Sequence, residues 1–273
     1  LGARIVGEGG NLGCSQAGRI EFAQHGGLIN TDAIDNSGGV DSSDHEVNIK
    51  ILLSQVVDNG DMTLKQRNTL LASMTDEVAD LVLNHNYHQS LVLSIAHHTA
   101  PANLHNHKRL IHHLESLDRL NRALEGLPSD AQIDEHMRQQ ECLSRPEIAV
   151  LLAYSKMHLF DELMQAGIAD DPYLSQALSD YFPQPLQAKF AGPMGKHPLR
   201  SEIIATHVTN QIGNRMGASF FHLLQEETGA GAGDIARAFM AASHILQAPN
   251  MWQQLDQVTL QLNYSQAMAL HGQ

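Results

Sequence analysis

The chain has 273 residues, of which 42% are hydrophobic and 17% charged, and its formal net charge is −13. This length fits one or two domains, and the hydrophobic content is too high for an intrinsically disordered chain. The negative charge would repel a polyanion, which excludes nucleic acid as a partner, and no apolar run reaches the roughly 18–20 residues that cross a bilayer. The two cysteines, Cys14 and Cys142, are too few for a disulfide framework, so we expect a cytoplasmic protein.

Two short apolar segments near the start of the chain predict strands on either side of a helix. Residues 3–6 form the first segment and residues 28–31 the second. Ser15 is a candidate N-cap for a helix that ends near Gly26. The order of strand, glycine-rich loop, helix and strand indicates a βαβ-like unit, and hence an α/β segment with a parallel sheet.

After residue 36 the sequence predicts helices alone. Thr63 with Gln66 and Ser144 with Glu147 have the spacing of capping boxes, in which each side chain bonds to the backbone N–H of the other residue. Such boxes mark the first turn of a helix. The predicted helices cover 45–57, a segment that starts at 63, 75–95, 102–124, 144–165, 199–225, 233–247 and 251–270.

A candidate domain boundary follows the helix that is predicted over 102–124. Residues 126–130 combine a glycine, a proline and a serine, a composition that is typical of a turn or linker. We therefore divide the chain into residues 1–126, in which helices buttress the α/β segment, and a mostly α-helical C-terminal domain over residues 127–273.

The first candidate binding loop is the glycine-rich run Gly-Glu-Gly-Gly-Asn-Leu-Gly at 7–13. It follows a predicted strand and precedes a predicted helix, which is where open parallel sheets bind their ligands. Glycines such as Gly9 and Gly10 let the backbone approach a ligand closely. Spacing alone favours a simpler interpretation, a tight turn, because the run lacks the full dinucleotide-binding fingerprint.

The second candidate binding loop, at 30–44, is rich in amide, carboxylate and hydroxyl side chains. An asparagine after a strand, such as Asn36, offers both a donor and an acceptor, which a carboxamide ligand requires. Gly38 and Gly39 would present backbone N–H groups near a helix start, a position that favours a carboxylate or a phosphate. A turn rich in Asp, Asn and Gly that ends in a helix N-cap explains the composition nearly as well.

Three sets of motifs, which together extend over nearly the whole chain, carry a family resemblance. The first set is the loop at 7–13 with Gly-Arg-Ile-Glu at 18–21, and the second is the run at 29–40 with Ser-Asp-His-Glu-Val-Asn-Ile-Lys at 43–50. The third set is the run at 144–156 with His-Pro-Leu-Arg at 197–200 and Asn-Arg-Met-Gly at 214–217. In these motifs the chain resembles the large, bacterial-type NAD-specific glutamate dehydrogenases.

The resemblance implies that the chain is a C-terminal piece of such an enzyme and that its α/β segment is the remnant of a Rossmann-like nucleotide-binding domain. It implies NAD as the cofactor and the oxidative deamination of L-glutamate to 2-oxoglutarate and ammonia. Expected partners are this small substrate, the remainder of the same polypeptide and further copies of the chain in a homo-oligomer. Matched by motif, the family's cofactor contacts fall on Gly9, Gly10, Asn11 and Asn36, and its substrate contacts fall on Val40 and Ser43.

The resemblance also implies what the chain lacks. The family's catalytic lysine lies upstream of the matched motifs, so we expect no catalytic residue here and no glutamate oxidation by the chain alone. We interpret Lys50 as solvated or ion-paired, and the 17 histidines, with His85 and His88 one helical turn apart, as surface or packing residues rather than metal ligands. The alternative hypothesis is a helical regulatory or oligomerisation module without chemistry of its own, in which Ser43 is a helix N-cap.

Overall fold

A computed structural model describes residues 2–271, apart from the side chains at positions 100 and 101. Its regular structure in this range is helical, with short 3-10 helices at Ile168–Asp170 and Leu174–Gln176. Among residues 2–271, none of the helices combines the length and the apolar character of a membrane span. The α-helices are α1 Gln16–Gln24, α2 Asp32–Asp35, α3 Ser37–Asp58, α4 Leu64–Ala72, α5 Thr75–Ser116, α6 Asp130–Gln139, α7 Arg145–Gln165, α8 Ala177–Tyr181, α9 Gln184–Met194, α10 Arg200–Met216, α11 Phe220–Thr228, α12 Ala232–Ile245, α13 Ala248–Thr259 and α14 Tyr264–His271.

The predicted α/β segment, and with it the remnant of a Rossmann-like domain, is wrong. Within the described residues the only β contact is an isolated parallel bridge between Ile5 and Leu28. The backbone N–H of Val6 donates to the carbonyl of Leu28 over 2.9 Å, and that of Leu28 donates to Arg4 over 3.0 Å. A strand persists only where neighbouring strands satisfy its backbone groups and cover its face. These two segments meet over a single residue each, so the chain folds as an all-helical unit.

Local capping chemistry places several helix starts where the sequence predicts them. The side chain of Ser15 accepts a hydrogen bond from the first turn of α1, and capping boxes at Thr63 and Ser144 open α4 and α7. The end of α7 is also as predicted, because Gly167 follows it with a φ of 65°, in the left-handed region that favours glycine. Helix α3 begins at Ser37, eight residues before the predicted start at 45, so the glycines at 38 and 39 lie in its first turn.

The longest helix, α5, replaces two predicted helices. The sequence predicts one helix over 75–95 and another over 102–124, whereas α5 runs without interruption for 42 residues. It packs against α2, α3, α6, α7, α10 and α14. The break between the two predicted helices coincides with Pro101, which lacks the N–H that a helix interior uses, and tertiary contacts along α5 outweigh this local effect. Downstream of α5, Asp118 has a positive φ of 53°, so residues 117–124 do not continue the helix.

The C-terminal half contains more and shorter helices than the sequence predicts. Helix α10 ends at Met216 and α11 begins at Phe220, where one helix is predicted over 199–225, because Gly217 adopts a φ of 82°. The helix predicted over 251–270 is likewise divided into α13 and α14. The predicted helices leave out α6, although its capping box of Ser129 and Gln132 is visible in the sequence.

Two large buried clusters hold the helices together. One combines α3 with α7 to α12 and includes Leu52 and Phe182, each no more than 1% exposed. The other joins Ile34, Leu114 and Ile148, and therefore includes residues from both sides of position 126. Helix α7 contributes to both clusters. The division into residues 1–126 and 127–273 stays a prediction.

Candidate functional site

Hydrogen bonds hold the two candidate loops against each other. The Nδ2 atom of Asn36 donates to Oδ1 of Asn11 over 2.7 Å. The backbone N–H of Leu12 donates to Oδ2 of Asp32 over 2.8 Å, and this bond lowers the pKa of the Asp32 carboxyl. The structure therefore brings Asn11 and Asn36, two of the predicted cofactor-binding residues, into direct contact.

A buried ion pair between Glu8 and Arg19 stabilises the first loop. Glu8 and Arg19 are 5% and 6% exposed, and Arg19 donates from Nε over 2.5 Å and from a terminal nitrogen over 3.0 Å to the two carboxylate oxygens of Glu8. The bond to Glu8 raises the pKa of Arg19. Glu8 also accepts from the backbone N–H of Cys14, and its own N–H donates to Asp35. Glu8 therefore connects the first loop to helix α1 through its carboxylate and to the second loop through its backbone N–H.

The exposed side of the first loop carries the predicted glycines and a strained leucine. Gly9 and Gly10 are exposed, and a Cβ added to either would meet no heavy atom within 4 Å. Leu12 has a φ of 61°, and its side chain is left 87% exposed. A positive φ is costly for a branched residue, so strain of this kind persists only where surrounding bonds maintain it. The bond from the Leu12 N–H to Asp32 supplies that support.

The second loop runs directly into the first turn of α3. Asn36 ends α2 and precedes α3, and a Cβ at Gly39 would lie 2.6 Å from Oδ1 of Asn36, so the close approach of this side chain requires glycine. Val40 is 67% exposed, and Ser43 is exposed in the next turn. The hydroxyl of Ser43 donates to the carbonyl of Gly39 over 3.1 Å. Ser43 therefore lies inside α3 and does not cap a helix, so its N-cap interpretation is wrong, whereas the alternative of a helical regulatory module stays a hypothesis.

Arg145 links both loops to the helices behind them, a role that the sequence analysis did not single out. Its Nε donates to Oδ1 of Asn30 over 3.0 Å, and a terminal nitrogen donates to Ser94 on α5 over 2.8 Å. Asn30 in turn donates to Asp35 over 2.8 Å. Burial lowers the pKa of Arg145, and these groups lie in the wall of a cavity of about 770 Å³. In the sequence, the arginine of the motif at 144–147 is the feature that could have indicated this role.

The lysines of the matched motifs differ in their surroundings. Lys50 is exposed on α3 and pairs with Glu46, as predicted. Lys156 on α7 is buried at its ammonium end, where Nζ donates to Oδ1 of Asn214 over 3.0 Å, and burial lowers its pKa to about 8. A Cβ at Gly213 would lie 2.9 Å from the Lys156 side chain, so α10 needs glycine there to accommodate the lysine.

Two family models match separate parts of the chain. One, described as "Bacterial NAD-glutamate dehydrogenase, catalytic domain", matches residues 1–96. The other, described as "Glutamate dehydrogenase, C-terminal", matches residues 140–273. The first match includes both candidate loops, and the second includes the helices from α7 onward. Together they agree with the motif sets that the sequence presents at its two ends.

Curated relatives from three bacteria carry the name NAD-specific glutamate dehydrogenase. The protein from Pseudomonas aeruginosa is 45% identical over 262 residues, which are 96% of this chain and 16% of the relative. The protein from Halomonas elongata is 43% identical over 99% of this chain and 17% of its own length, and that from Mycobacterium tuberculosis is 37% identical over 98% and 16%. The chain thus spans about a sixth of the length of these relatives. The matches confirm the predicted resemblance, and the chain belongs to the family of the NAD-specific glutamate dehydrogenases.

Proposed function

We propose that this chain forms part of the cofactor-binding and substrate-binding site of an enzyme that converts L-glutamate, NAD⁺ and water to 2-oxoglutarate, ammonium, NADH and a proton. The observation that carries the proposal is the direct contact of Asn11 with Asn36, because it joins two loops that are 25 positions apart in sequence. The names of the relatives supply the cofactor and the amino acid. A cytoplasmic location and assembly with further copies of the chain remain predictions.

The exposed surface of the two loops fits a nicotinamide cofactor. Asn11 and Asn36 present carboxamide groups, which can donate to and accept from the carboxamide and ribose of the cofactor. Gly9 and Gly10 leave open space beside the backbone, which a bound cofactor could approach closely. When bound, NAD⁺ accepts the hydride from the α-carbon of glutamate, and the protein orients it. The role of this chain is then to position the cofactor.

The start of α3 fits the distal end of glutamate. Val40 offers an exposed apolar surface for the methylene groups, and the Ser43 hydroxyl lies one helical turn further on. The positive end of a helix macrodipole and its free backbone N–H groups favour a carboxylate near the first turn. We assign Val40 and Ser43 to the substrate on these grounds. The catalytic base is assigned to the remainder of the polypeptide, as the resemblance implies.

Asn36→Ala in the intact enzyme tests the cofactor assignment. Loss of one buried hydrogen-bonding partner should weaken the productive complex by about 1–3 kcal/mol, so turnover with NAD⁺ should fall while the protein stays folded. Steady-state kinetics and a melting curve measure the two effects. Asn59→Ala, at the other end of α3, is the matched control because Asn59 is exposed and its side chain makes no hydrogen bond within residues 2–271. Unchanged kinetics in Asn36→Ala would remove this residue from the site.

Ser43→Ala tests the substrate assignment. A hydrogen bond to a charged group contributes about 1.5–3 kcal/mol, so the Michaelis constant for glutamate should rise roughly ten- to a hundredfold, with little change in affinity for NAD⁺. Alanine is a better helix former than serine, so the melting temperature should not fall. Ser42→Ala is a close control, because Ser42 is equally exposed and its hydroxyl also donates to a carbonyl four residues back, over 2.7 Å. An equal rise in both variants would contradict the assignment.

A further inference from the structure

Three side chains that commonly bind metal ions meet between α3 and α5. Asp41 and His45 lie one turn apart on α3, and His85 lies opposite them on α5. The Nδ1 atom of His85 is 2.8 Å from one carboxylate oxygen of Asp41, and Nε2 of His45 is 3.8 Å from the other. One ligand atom from each residue lies within 4.8 Å of the other two. Separations of this size allow all three to reach a common point.

His45 lacks the hydrogen bonds that a buried imidazole normally makes. It is 1% exposed, and neither ring nitrogen has a hydrogen-bond partner in the part of the chain that the structure describes. Its ring stacks on Tyr181, with centroids 4.5 Å apart, which fixes the ring plane. Buried polar atoms are almost always satisfied, so an unpartnered pair of nitrogens beside a carboxylate and a second imidazole requires a physical explanation.

We propose that Asp41, His45 and His85 bind one divalent transition-metal ion, for which zinc is the best fit. Two imidazoles and one carboxylate are a ligand set that zinc accepts, and the set leaves a coordination position for water. His85 also lines a cavity of about 650 Å³, which gives an ion and a water molecule a route to the site. The sequence interpretation of His85 as a surface or packing residue is therefore replaced by a ligand role.

The charges around the cluster are compatible with a bound cation. The buried ring of His45 has the carboxylate of Asp41 3.8 Å from its Nε2 atom. Lys156 also acts on Asp41 electrostatically, and burial lowers its pKa to about 8. The carboxylate of Asp41 thus supplies the negative charge that attracts a cation to this place.

The proposed ion has a structural role that is separate from hydride transfer. It would connect α3 to α5 within the same turns of α3 that carry Val40 and Ser43. A metal ion binds only the folded protein at such a site, so its binding should stabilise the fold. The proposal does not depend on the identity of the substrate, and its failure would leave the proposed reaction untouched.

Metal titration of the intact protein tests this proposal. The protein is dialysed against a chelator and titrated with Zn²⁺ by calorimetry and with Co²⁺ by visible absorption, which reports coordination by protein ligands. We expect the protein to bind one metal ion per chain, and this binding should raise the melting temperature. His85→Ala and Asp41→Asn should each lower the affinity for this metal ion. The expected loss is larger than the roughly 10–100-fold that follows when a group hydrogen-bonded to a metal ligand is removed.

The control is His105→Ala, which removes an exposed histidine from the same helix. It should bind the metal ion as the unmodified protein does. Asp41 and His85 are both partly exposed, and circular dichroism in chelator verifies that either variant is folded. The proposal is overturned if the unmodified protein binds no stoichiometric Zn²⁺ or Co²⁺. It is also overturned if folded Asp41→Asn and His85→Ala variants retain the full affinity.

Discussion

Replacing Arg19 by methionine is expected to lower the free energy of unfolding by about 3–5 kcal/mol, because the substitution leaves a buried charge without its partner. Glu8 is 5% exposed and pairs with Arg19 through two bonds, so its carboxylate would remain in a dry environment. The same carboxylate holds the backbone of Cys14, and the first loop should therefore loosen as well. Urea unfolding followed by circular dichroism measures the change.

Lys50→Met is the matched control for this effect. Lys50 and Glu46 form an ion pair of the same charges, but both side chains are more than half exposed. Solvent screens such pairs, and measurements on exposed helix pairs give about 0.3–0.5 kcal/mol. The urea midpoint should therefore shift strongly for Arg19→Met and barely for Lys50→Met. Equal shifts in the two variants would show that the buried Glu8–Arg19 pair contributes no more to stability than the exposed Lys50–Glu46 pair.

Acid is expected to destabilise the chain between pH 6.5 and pH 4 because of His107. This side chain is 5% exposed, and burial lowers its pKa to about 4. In the unfolded chain the pKa returns to about 6.5, so only the unfolded state takes up a proton in this range. The stabilisation is therefore complete above pH 6.5 and is lost as the pH falls to 4. His107 alone accounts for up to about 3 kcal/mol.

The pH dependence of two variants isolates this histidine. His107→Gln removes the titrating group, so the free energy of unfolding should fall less steeply between pH 6.5 and pH 4. His105→Gln replaces an exposed histidine whose charge adds to the lowering of the His107 pKa less than burial does, so it should change the slope much less than His107→Gln. His158, whose pKa burial also lowers to about 4, leaves a residual slope in both variants. Identical slopes for His107→Gln and the unmodified chain would contradict the assignment.

The features that the sequence predicts correctly are those set by neighbouring residues. Ser15 and Thr63 each accept from a backbone N–H three positions on, and Glu147 accepts from that of Ser144, so this chemistry is readable without knowledge of the fold. Gly167 ends α7 for a similarly local reason, its left-handed backbone conformation. The contact between Asn11 and Asn36 is not among these predictions, because no pattern within either loop indicates a partner 25 residues away.

The wrong predictions concern features that depend on contacts between distant parts of the chain. Residues 3–6 and 28–31 are predicted as strands, but a strand requires a sheet, and the described residues provide one bridge. Helix α5 continues past the predicted break because six other helices pack along it. The Glu8–Arg19 pair and the Asp41–His45–His85 cluster also depend on folding, since each combines residues from separate elements.

Helix α5 connects the two loops to the C-terminal helices and can transmit a displacement between them. At 1.5 Å per residue its 42 residues extend over roughly 60 Å, and the helix continues past Pro101, which removes one of its backbone hydrogen bonds. Near one end Asn86 donates to the carbonyl of Ile34 and to Ser37, at the start of α3. Near the other end His112 contacts Asp130, at the start of α6. A tilt of α6 is therefore expected to displace the start of α3, the turn that we propose to face the substrate.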